Sequence, residues 1–256
     1  MSLSNPNENG QANPSTRWFE WHGEQGAINY YDKEKKENVS VPLPFTFILL
    51  DELATVRGWH DASSSGIYSN EVKDTRQDAL VVKAFKGGTL AEGLYRDIRE
   101  RVASVGGAFN AQCYIAFKDG ANLVMGALRF KGAALSAWME FRKQQRKNVY
   151  GKAIRIDGFT EGKKGRITYR MPTFALHEIS PETLTLATEL DKTLQEFLDG
   201  YLSRTKPNLA EVTSQEPAIQ PDAPEPGDDG PVPVEAYADV EPNQHGVYIT
   251  DEDVPF

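Results

Sequence analysis

From Pro207 to Phe256 the chain carries nine prolines, twelve carboxylate side chains and no lysine or arginine. Proline removes a backbone donor and breaks helices, and the sparse apolar residues of this stretch cannot offset the entropy of ordering it. Residues 207–256 are therefore expected to be a disordered tail, so a globular body has to be built upstream. The start, MSLSNPNENGQANPST, is polar as well, and residues 1–15 are expected to be disordered for the same reason. The body then spans residues 16–206.

The same boundary divides the charge. All 28 basic side chains precede residue 207, alongside 37 minus 12, or 25, acidic ones. The net charge of -9 thus conceals a body of about +3 and a tail of -12. Such a split points to an anionic partner for the body and a cationic partner for the tail. The start lacks the basic and apolar segments of a signal peptide, and no run approaches the roughly 18 apolar residues of a membrane span, so a cytoplasmic location is expected. Cys113 is the only cysteine, and His22, His60, His177 and His245 lack metal-ligand spacing, so neither a disulfide nor a metal or other cofactor is expected.

Within the body, strand signals fall at 17–22, 26–31, 39–50, 79–85, 109–118, 122–130, 150–159 and 165–177. Three helices are predicted: Leu90 to Val105 with Thr89 as cap, Ala133 to Lys147, and Pro181 to Ser203 with Ser180 as cap. The last has a stripe of Leu184, Leu186, Leu190, Leu194, Phe197, Leu198 and Tyr201. Turn signals DGAN at 119–122 and EGKKG at 161–165 favour adjacent antiparallel strands. The expected class is mainly β with inserted helices: a strongly curved antiparallel sheet, closed by a C-terminal helix.

No catalytic motif is evident. GFTEGKK at 158–164 is one residue short of a phosphate loop and lacks its Ser or Thr, and the serines of ASSSG at 62–66 are outside any GxSxG. Asp51 and Glu52 read as a solvated strand end, with a nuclease metal site as the rival. From Lys131 to Arg170, by contrast, eleven cations face three acids. Strand alternation puts Arg166 and Arg170 on one face of 166–171 and points Arg155 outward from its partner, with Lys163 and Lys164 at the tip. Lys131 and Lys152 belong to the same basic region. In FNAQCYIAFK, Phe109, Ala111, Cys113, Ile115 and Phe117 form a core face, leaving Tyr114 and Lys118 on the other as a base-stacking platform. Trp59 in GWHD and Tyr68 in GIYSN, both assigned to loops, are further stacking candidates, whereas Trp18, Trp21 and Phe159 suit the core equally well.

The final residues, Asp251, Glu252, Asp253, Val254, Pro255 and Phe256, complete the picture. Behind an acidic, proline-rich tail, this tip resembles the carboxyl terminus of single-stranded DNA-binding proteins of bacteria and some of their phages. That resemblance implies an OB-fold barrel body, a tip that docks in basic, apolar pockets on replication and repair proteins, and no catalysis. The body is about twice as long as the short bacterial OB domain and closer to the larger phage versions, which leaves homo-oligomer formation open. The resulting expectation is a sequence-independent single-stranded DNA binder, with a strand-annealing mediator, a nucleic-acid enzyme and a protein-binding adaptor as alternatives.

Overall fold

The computed structural model describes residues 12–205; the tail, its tip and residues 1–11 lie outside the described residues. The elements in chain order are β1 (Arg17–His22), β2 (Ala27–Asp32), β3 (Glu37–Val41), β4 (Phe45–His60), β5 (Ser65–Ser69), β6 (Leu80–Ala84), β7 (Gly88–Gly93), α1 (Tyr95–Ser104), β8 (Gly107–Asp119), β9 (Asn122–Lys131), α2 (Gly132–Gln145), β10 (Ala153–Lys164), β11 (Ile167–His177) and α3 (Pro181–Thr205). The protein is mainly β with a C-terminal helix, as its alternating apolar pattern requires. No described helix is long and apolar enough to cross a membrane.

The strands form one largely open sheet in the order β3-β2-β1-β9-β8-β4-β5-β6-β7, with β10 on the start of β4 and β11 on β10. It is mixed rather than purely antiparallel, because β1 runs parallel to β9. The chain enters beside that strand: Thr16 donates its backbone N–H to Met125 O at 2.8 Å. Upstream, Asn13 Nδ2 donates to the Tyr114 hydroxyl at 3.2 Å.

Sheet curl is fixed where β11 meets the β1–β2 turn. Arg170 N–H donates to Gly23 O at 2.8 Å, and Trp21 Nε1 donates back to Arg170 O at 2.9 Å. The aromatic core inside this curl brings Phe19, Trp21, Phe47, Phe117 and Phe130 from the sheet against Trp138 and Phe141 of α2. On the other face, Leu194, Phe197 and Leu198 of α3 cover Leu50, Leu53, Ala116 and Ala127. A smaller core under α1 joins Ile98 and Val102 to Val56, Leu80 and Val82. Burying such side chains is worth roughly 1.5–3 kcal/mol each, which makes these faces decide the fold.

Several local expectations are corrected by this packing. The second expected helix forms as α2 and buries Ala134, Leu135, Trp138, Met139 and Phe141. The expected helix from Leu90 instead begins at Tyr95, because Gly88–Gly93 pairs with β6 and buries Leu90 and Ala91. Ladder hydrogen bonds and burial there outweigh the local helical pattern. At α3, Ser180 Oγ accepts from Thr183 N–H at 3.2 Å as a cap, but Leu184 and Leu186 of the expected stripe stay exposed.

Candidate nucleic-acid interface

Trp59 and Tyr68 belong to strands rather than loops. β4 runs sixteen residues to His60 and pairs with β5 through Arg57↔Tyr68 and Trp59↔Gly66. β5 pairs in turn with β6 through Tyr68↔Lys83, and Phe85 N–H donates to Gly66 O at 3.1 Å. Because strand side chains alternate with period 2, Arg57, Trp59, Tyr68, Lys83 and Phe85 share one face.

Trp59 is 57% and Phe85 74% exposed, in both cases with no core role, while Tyr68 packs tilted against Phe85, with ring centroids 4.7 Å apart and planes at 34°. Gly66 lies under the Phe85 ring, where a Cβ would make ordinary van der Waals contact at 3.4 Å. A second close approach holds the end of β4: a Cβ on Gly58 would sit 2.1 Å from Gly106 O, and Trp59 N–H donates to that same carbonyl at 3.3 Å. Gly106, just past the end of α1, therefore also seats Trp59. Exposed Lys83 shares this face, and exposed Lys86 follows Phe85 in the chain. Phe85, Lys83 and Arg57 escape sequence reasoning because only cross-strand register shows that they join Trp59.

Tyr114 is not part of any platform. It is 1% exposed, donating to Glu71 Oε2 at 2.7 Å, and burial together with the Glu71 charge pushes its hydroxyl far above the usual range. β8 is a central strand covered on both faces, so Asn110 and Gln112 beside it are buried too. Alternation identifies one face as core but cannot tell whether the opposite face is wet. Lys118, four residues on, is exposed at the β8–β9 hairpin and lacks its expected aromatic neighbour.

The β10–β11 hairpin forms with its tip at Lys164 and Ile167, which leaves Arg166 in the turn and off the strand face. Its cations separate into two groups. Arg170 is a structural clamp: its Nε donates to Glu161 at 3.0 Å, its guanidinium also donates to Glu24 O, and it lies over the Phe159 ring at 5.2 Å. Arg155 pairs with Asp157, Lys152 with Glu178 at 2.6 Å, and Lys131 of β9 with Glu20 at 2.6 Å. Lys163, Lys164 and Arg166 carry the hairpin charge that no carboxylate pairs with among the described residues. The hairpin's strand pairing with the main sheet is confined to Phe45–Ile48 of β4, so pairing does not bring it beside the Trp59–Tyr68 face.

Asp51 and Glu52 are also corrected: they sit within β4 beside a bulge, not at a strand end. Asp51 pairs with Lys73 at 3.1 Å and accepts from Gln195 of α3 at 3.0 Å. Glu52 accepts from Trp138 Nε1 and Arg142 Nε, both at 3.1 Å, while burial pushes its carboxyl up. These contacts tie α2 and α3 to the sheet. Among the described residues, no group of three or more His, Cys, Asp or Glu side chains could hold a metal ion. Of the other aromatics, Trp21 is core, whereas Trp18 and Phe159 are 38% and 41% exposed. Cys113 is buried in the core with a free thiol, as expected. No family model, curated protein or solved structure matches the chain.

Proposed function

We propose that the protein binds single-stranded DNA without catalysis and with little dependence on sequence, serving replication, recombination and repair. The observation that carries this proposal is the face of β4, β5 and β6, where exposed Trp59 and the Tyr68–Phe85 pair are interleaved with Arg57 and Lys83. Unstacked bases lie on such rings for roughly 1–3 kcal/mol each, whatever their identity, and only single strands offer them. Lys83, Lys86 and the hairpin tip neutralise phosphates, which makes affinity fall steeply with salt. The OB-type barrel belongs to this proposal. It is supported by the curl of the sheet around the α2 core and by the closure of β11 onto the β1–β2 turn.

Fluorescence titration with oligo-dT at increasing salt, against a duplex of equal length, tests the proposal. Tight, salt-sensitive and strand-selective binding is expected; equal affinity for duplex rejects it. The acidic tip from Asp251 to Phe256 would recruit a partner with a basic, apolar cleft, Phe256 filling the apolar part and the carboxylates meeting its cations. Removing Phe256 is expected to leave oligo-dT binding intact and to abolish capture of a replication or repair protein.

A further inference from the structure

β1, β2 and β3 build a second ring-lined surface, one that the single-strand reading does not use. Its floor is a polar row running across the strands: Asn29 pairs with Glu20, Glu20 with Arg129 and Arg129 with Gln112. Two residues along, or about 7 Å, runs an aromatic row. There Tyr31 pairs with Asn38, and Trp18 pairs with Ala127 on the same strand face as Glu20. Trp18 and Tyr31 are adjacent, one step beyond the Phe19–Tyr30 pair. They are 38% and 57% exposed. Between the two rows lies a groove of about 220 Å³ lined by these side chains, space for roughly seven waters at their liquid volume. That is the size class of one planar ring system, not of a large ligand.

The unspent hydrogen-bonding atoms of this groove are two acceptors, on Glu20 and Asn29, beside the terminal nitrogens of Arg129, which remain donors. Glu20 Oε1 takes the Lys131 ammonium at 2.6 Å, but its Oε2 is 3.8 Å from Arg129, beyond hydrogen-bond reach. Asn29 donates its Nδ2 to Gln25 at 2.9 Å, which leaves its Oδ1 buried with no partner. Arg129 spends its Nε on Gln112 at 3.3 Å. Burial raises the Glu20 carboxyl, yet the Lys131 hydrogen bond and the Lys131 and Arg129 charges outweigh it and keep the group ionised.

We infer that this groove holds a guanine base of the bound strand, stacked on Trp18 and Tyr31 with its Watson–Crick edge on Glu20. Guanine offers two neighbouring donors, N1–H and N2–H₂, which a carboxylate accepts side by side. Thymine offers one N–H flanked by two carbonyls, which would face the carboxylate oxygens. Adenine and cytosine each offer a single amino group. In a single strand this edge is free to be read. The inference rests on the single-strand proposal and adds one preferred base to an otherwise sequence-tolerant surface.

The test compares three oligonucleotides of equal length at matched salt with the full chain: oligo-dT, oligo-dT with isolated dG residues, and the same with inosine, which lacks the N2 amino group. One carboxylate-to-guanine pair predicts roughly a 5- to 150-fold preference for dG over dT at the same site, with inosine between. Glu20→Gln is expected to abolish the preference for dG over dT at the same site. Trp18→Ala, an exposed change that spares the Glu20–Lys131 pair, is expected to weaken dG binding in the same direction. Equal binding of all three by the unaltered protein overturns the guanine site and leaves the single-strand proposal standing, whereas no binding of any of them overturns both. A parallel titration with GMP separates the sources of the base. Weak displacement supports a base held within a strand; saturation at low GMP with no preference among oligonucleotides assigns the groove to free nucleotide and overturns the inference.

Discussion

Tyr114 donates its hydroxyl to Glu71 across 2.7 Å in the interior of the sheet, and the backbone N–H of Glu71 donates to Tyr201 of α3 at 3.0 Å. This short chain of contacts joins the central strand, the segment after β5 and the last helix. Tyr114→Phe is therefore expected to destabilise the fold by about 1–3 kcal/mol, because it leaves a buried acceptor unpaired. Oligo-dT affinity should not change. Denaturant unfolding and titration check the two halves separately, and an affinity loss without destabilisation would return Tyr114 to the DNA surface.

Trp59→Ala and Phe85→Ala remove exposed rings, so thermal unfolding should stay within about 1 °C of the unaltered protein, as expected for surface changes. Each is expected to lower oligo-dT affinity roughly 5- to 150-fold, the equivalent of one stacked base. Phe85→Ala keeps the Trp59 signal and permits a fluorescence readout. Unaltered affinity in both would move the stacking surface elsewhere.

The cations of the β10–β11 hairpin are expected to behave as two classes. Replacing Lys163, Lys164 and Arg166 together by Ala should weaken binding and reduce the salt slope by up to about 3, one unit per lost phosphate contact, at unchanged stability. Arg170→Ala should do the reverse, lowering stability through loss of its contacts with Glu161, Glu24 and Phe159. Salt-dependent titration together with unfolding of both variants distinguishes them.

Burial pushes the Glu71 carboxyl above its ordinary value near 4.5, against the pull of the Tyr114 hydrogen bond and the Arg57 and Arg129 charges. A native state that holds this proton more tightly than the unfolded chain gains stability at low pH. The contribution is complete below about pH 4.5, the unfolded value, and is lost as pH rises through the raised native one. Glu71→Gln keeps an acceptor for Tyr114 and is expected to flatten that decline, raising Tm at neutral pH relative to the unaltered protein. Identical slopes in both proteins, followed by thermal unfolding from acid to neutral pH, would mean that Glu71 enters the native state ionised.

The sequence by itself determined the pieces whose signals are local. DGAN and EGKKG gave hairpins, Ser180 capped α3, and the helical pattern of 133–147 gave α2. It could not determine which strand faces meet solvent. Period-2 alternation is the same for a strand covered once and a strand covered twice, so Tyr114 read as exposed until α3 was laid over it. Nor does a strand carry its own register. Trp59, Tyr68 and Phe85 are separated by loops and turns in the chain, and only ladder hydrogen bonding across β4, β5 and β6 sets them on one surface. The tertiary structure also chose among the cations, because whether an arginine is free or spent depends on the carboxylates and carbonyls that folding brings to it, as Glu161 and Glu24 are brought to Arg170.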